Sequence, residues 1–182
     1  MKLGRCGYQQ VRADEGYVVT TDLLELYGRA SEWTLGKVAG PRRDWTPVTP
    51  CDDWVVHELM SHILDTQKYF AASAQGREAD PPSPTPTTAL GSDPVADFER
   101  ARADTLRAFG EPGVVDRTGP SLGIAFSDPL LHGWDLARAT GQDETMPHRS
   151  RKLTGSGIFE QHRRYEQSWC STSRRRNGCQ QP

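Results

Sequence analysis

Long apolar runs are missing from this sequence. No stretch of about 18 apolar residues occurs, which excludes a transmembrane helix. Apolar residues make up 35% and mean hydropathy is −0.69, so a core forms only if the apolar positions are concentrated. Cysteine is scarce. Cys6, Cys51, Cys170 and Cys179 form no C-x-x-C pair and are too sparse to staple 182 residues, so reduced, structurally incidental thiols are expected. Neither sign of charge dominates: 22 Lys and Arg stand against 24 Asp and Glu, for a net −2. No overall pull toward nucleic acid or a membrane surface follows. The opening residues MKLGRCGYQQVRADEGYVVT carry charge throughout and lack the apolar centre of a secretory signal, so a cytoplasmic protein is expected. No G-x-S-x-G elbow, P-loop or G-x-G-x-x-G is present.

Charge is unevenly placed. Residues 147–182 hold eight Lys and Arg against two Glu, a local +6, while residues 1–146 sum to −8. No aromatic interleaving accompanies the basic residues, which predicts a loosely packed terminus and no nucleic-acid partner.

Four segments repeat apolar residues at helical spacing. Asp22 to Val38 aligns Leu23, Leu26, Tyr27, Ala30, Trp33, Thr34 and Val38, with Thr20 or Thr21 as N-cap and Gly40-Pro41 as stop. A second begins near Cys51, capped by Asp52 or Asp53, and fades at Ala74 or Gly76. A third starts at Asp93-Pro94, cap then N1 proline, and runs to about Phe109, where Gly110, Pro112 and Gly113 end it. The fourth runs from about Ser127 to Thr140, with Gly141 as its C′ residue. Between the second and third, DPPSPTPTTALGS holds four of the thirteen prolines and reads as a long surface loop. The pattern predicts an all-α, up-down four-helix bundle over residues 21–146 with one long Pro-rich loop. Residues 1–20 form an N-terminal extension and 147–182 an atypical basic tail.

Three metal-capable side chains fall on two of these helices. Asp128 and His132 are four residues apart, so they share a helical face. His62 lies on the apolar face of the second helix between Leu59 and Ile63, where it can reach the same ion from across the bundle. Two histidines and one carboxylate leave a coordination position open, as in catalytic zinc sites, though ferrous iron or nickel would accept the same donors. His57 is rotated about 140° from His62 and is expected to face solvent. Cys51, near a helix start, is a weaker candidate nucleophile, and Trp45, Trp54 and Trp134 are expected core or rim aromatics.

TPCDDWVVHELMSHIL at residues 49–64, the segment 93–109, DPLLHGWDLARATGQD at residues 128–143 and DLLELY at residues 22–27 together resemble the mycothiol-dependent maleylpyruvate isomerase family, a metal-binding branch of the DinB-like four-helix bundles. The resemblance implies a divalent metal, usually zinc, held by His62, Asp128 and His132. It also implies mycothiol as thiol cosubstrate and a small electrophile as substrate, with Tyr69 and Trp134 as candidate pocket walls. Better-studied members carry Glu where this chain has Asp128. Pro129 follows Asp128 directly, and predicts that helix four starts at Ser127 or bends there. After Met146 the sequence departs from the family pattern. The expected protein is a monomer or homodimer and a thiol transferase or isomerase; the alternative is a bundle that binds metal without catalysis.

Overall fold

A computed structural model of the chain describes residues 20–40, 46–51, 54–83 and 85–147. The described residues are helical, in the order α1 (Thr20–Val38), α2 (Val56–Ala74), α3 (Pro94–Gly110) and α4 (Val114–Thr140). Their only β-type pairing is an isolated bridge between Val48 and Val55. The expected extension at 1–19 and the tail from residue 148 onward lie outside the described residues.

Each helix follows from its local chemistry. On α1, Leu26, Tyr27, Ala30, Ser31, Thr34 and Val38 recur at three and four residues and are buried. For α3, Asp93 Oδ1 accepts from Ala96 N at 3.1 Å and Pro94 fills the first turn, where its missing N–H costs nothing. At the same end of the bundle, α4 closes on Gly141, whose φ of 68° is the left-handed conformation glycine adopts without strain.

Two expectations about helix starts differ from the structure. α2 begins at Val56, preceded by Val55 as N-cap, and not at Cys51. Its first turn is closed by Glu58, whose Oε2 accepts from Val55 N at 2.9 Å. The fourth helix begins at Val114, thirteen residues before the expected Ser127, and continues unbroken past Pro129. Proline there removes one backbone donor from the ladder. Tertiary packing outweighs that loss: Leu122, Ala125, Phe126 and Leu130 are all buried against α1, α2 and α3. A cross-helix bond adds to it, with Thr34 Oγ1 on α1 donating to the Pro129 carbonyl at 2.6 Å.

α4 packs along α1 and α2, and α3 packs on α1, α2 and α4. α1 and α4 pack tightly at Gly133, where a methyl group would sit 2.5 Å from Thr34 Oγ1 and 2.7 Å from the Trp33 ring. Two apolar clusters fill the interior. One joins Tyr27, Phe70, Phe109, Phe126 and Leu130; the other joins Val56, Leu59, Ile63, Phe98 and Leu136. The Pro-rich connection is tied to α2 by Asp65, which accepts from Thr87 N at 2.7 Å and Thr88 N at 3.1 Å.

Candidate metal centre

His62 projects from α2, and Asp128 and His132 project from one face of α4. All three are buried, with side chains 10%, 3% and 1% exposed. Asp128 Oδ1 lies 3.6 Å from His62 Nε2 and 3.7 Å from His132 Nε2. The three donor atoms lie within 4.8 Å of one another. A tetrahedral ion at about 2.0–2.2 Å from each donor requires donor separations of about 3.3–3.6 Å. The two carboxylate–imidazole edges nearly meet this, and the imidazole–imidazole edge, within 4.8 Å, would have to close on binding.

The ring of His62 is held by Trp54, 4.6 Å away centroid to centroid, and meets the His132 ring edge-on at 4.8 Å. Its Nε2 is also 3.3 Å from Thr66 Oγ1, while its Nδ1 is buried with no hydrogen-bond partner. The nitrogen that faces the carboxylate is Nε2, and it is this Nε2–carboxylate–Nε2 convergence that fits a ligand role.

On the far side of His132, Nδ1 lies 3.1 Å from Asp135 Oδ2 and 3.7 Å from Cys51 Sγ. Cys51 Sγ donates to the same Asp135 oxygen at 3.1 Å. Cys51, His132 and Asp135 thus form a second group of converging metal-capable donors sharing one imidazole with the first. The loop before α2 sets this up. Thr49 N and Val56 N donate to Trp54 O and Pro47 O at 3.0 and 2.9 Å, and Cys51 and Trp54 both lie against the histidines. Burial pushes the Cys51 thiol above its ordinary range, more than neighbouring His132 lowers it. That keeps the thiol protonated and works against the nucleophile considered from sequence.

Other expected residues lie elsewhere. His57 is exposed, as its rotation from His62 implies. Tyr69 is two turns beyond His62; it stacks edge-on against Phe70 at 5.2 Å and lines a cavity of about 700 Å³ between α2, α3 and the Pro-rich connection. Trp134 is half-buried and carries the Arg138 guanidinium over its ring at 5.1 Å. The aromatic in contact with the histidines is Trp54. Asp135 was legible in principle, since an acid three residues after a helical histidine shares its face.

Among the described residues these features define a helical protein with a buried His–Asp–His donor set between two helices. The family described as the mycothiol maleylpyruvate isomerase N-terminal domain matches residues 28–118, and the chain belongs to it. That match runs from within α1 through α3 to the first residues of α4, and so includes His62 but stops short of Asp128 and His132. Two uncharacterized proteins, from two strains of Mycobacterium tuberculosis, are each 30% identical over 132 residues, covering 66% of this chain and 69% of theirs. No solved structure matches the chain.

Proposed function

We propose that the chain is a metal-dependent thiol transferase or isomerase of DinB-like four-helix architecture, in which His62, Asp128 and His132 hold one divalent ion, zinc by preference. The helix order is not the up-down one expected from sequence, since α2 and α3 run parallel across the Pro-rich connection. Residues 21–146 form the metal-binding unit, with 1–20 and 147–182 as additions to it. The observation that carries the reading is the convergence of two Nε2 atoms on one buried carboxylate oxygen. Membership of the mycothiol family supports mycothiol as the thiol. A divalent ion supplies Lewis acidity that lowers the pKa of a bound thiol.

The chain's own residues account for the rest. Two neutral imidazoles and one carboxylate around a dication leave a net positive ligand set, which favours an anionic fourth donor over a neutral one. Trp54 and the apolar residues flanking His62 keep water from that set and so strengthen its electrostatics. No described helix is long and apolar enough to cross a membrane, and a small electrophile is the partner the buried site suits.

A second reading is favoured by one observation: with side chains only 10%, 3% and 1% exposed, the donors are reached chiefly along the edge of His62. A bundle that holds metal without turnover fits that burial. Zinc-loaded protein assayed with mycothiol against small electrophiles separates the two. Turnover that disappears in His132→Ala supports the enzyme, and stoichiometric metal without any thiol-dependent turnover supports the second reading.

A further inference from the structure

The imidazole of His132 stands between two acids on one helix. Asp128 lies four residues before it and Asp135 three residues after, so α4 carries an Asp-x-x-x-His-x-x-Asp stripe. Its Nε2 faces Asp128 at 3.7 Å and its Nδ1 faces Asp135 Oδ2 at 3.1 Å. An ionised carboxylate only accepts, so a bare Nδ1 lone pair at that distance would repel it. The thiol hydrogen of Cys51 has the same oxygen as its nearest acceptor, at 3.1 Å, against 3.7 Å to Nδ1. On the Nδ1 side one arrangement of hydrogens satisfies both contacts: Nδ1–H and S–H both donate to Asp135 Oδ2.

We propose that Asp135 is the positioning residue for His132, holding it as the Nδ1–H tautomer with the Nε2 lone pair turned toward His62 and Asp128, while Cys51 braces the same carboxylate as a hydrogen-bond donor and not as a metal ligand. The inference rests on the His62–Asp128–His132 reading of the metal site. It also resolves the two overlapping donor groups, since Nδ1 cannot both donate to Asp135 and coordinate an ion beside Cys51. A carboxylate in this relation to a ligating histidine fixes the ring and raises its basicity, and its loss typically weakens metal binding by about 10–100-fold.

The test has two arms on the full chain. Nitrogen-15 correlation spectra of metal-free protein, at a pH where the ring is neutral, are expected to show His132 protonated on Nδ1 in the wild type and to lose that preference in Asp135→Ala. A wild-type His132 protonated on Nε2 overturns the inference without requiring any variant to fold. In the second arm, cobalt titrations are expected to show affinity falling about 10–100-fold in Asp135→Ala. Asp135→Asn, which keeps an oxygen acceptor, should fall less, and Cys51→Ala less than Asp135→Ala. A thiolate-to-cobalt absorption band that vanishes in Cys51→Ala would instead place the ion at Cys51, His132 and Asp135, overturning the inference. Wild-type protein that binds no cobalt contradicts the metal-site reading, and the tautomer measurement then still decides the role of Asp135.

Discussion

Single atoms decide much in this interior. Gly133 lies where α1 and α4 touch, directly after His132, and the side chains it faces belong to buried Thr34 and to Trp33. Gly133→Ala is expected to destabilise the fold by about 1–3 kcal/mol, as other overpacked sites do, seen as a melting temperature lower by several degrees. An unchanged melting temperature would show that the helices separate freely there. Tyr27 offers a test by pH. Burial pushes its phenol well above the ordinary range, with the Thr105 hydrogen bond opposing, so the folded chain keeps its proton where an unfolded tyrosine ionises. The unfolded state then binds fewer protons, and stability falls as pH rises past the ordinary value of 10.0. Tyr27→Phe should therefore move the midpoint of alkaline unfolding upward relative to its own neutral-pH stability, and an identical alkaline slope in both proteins would contradict this.

The helices show which signals in a sequence survive folding. α1 and α3 are legible because their apolar spacing, the Asp93-Pro94 start and the glycine stops all agree. The first half of α4 is not, because Gly119, Pro120 and Gly123 read as breakers, and only contacts distant in sequence make that segment helical. Similarly, His62, Asp128 and His132 could be brought together from helical spacing alone. Trp54 and Cys51 reach the same place through a loop whose folding depends on Thr49 and Pro47, which no periodicity encodes. If packing and not the proline sets the backbone at Asp128, Pro129→Ala should keep a full complement of metal, with no loss of thermal stability. Metal lost in that variant would show that the proline itself aims the carboxylate.

For the molecule as a whole, the ion would join α2 to α4 through a site that the unfolded chain lacks. Binding to the folded state alone stabilises by mass action, about 2.7 kcal/mol when free ligand stands at about a hundred times its dissociation constant. Chelation is accordingly expected to lower the melting temperature of wild-type protein, and to leave His62→Ala unaffected. An equal shift in both would mean that the ion sits elsewhere.

Metal content is the most direct measurement. Protein purified without chelator and analysed by inductively coupled plasma mass spectrometry should carry one equivalent of a divalent ion per chain, and the His62→Ala/His132→Ala double variant, still helical by circular dichroism, should carry essentially none. Wild-type protein that stays metal-free after exposure to zinc, or a double variant that keeps its full equivalent, would contradict the assignment of His62, Asp128 and His132 as a metal centre.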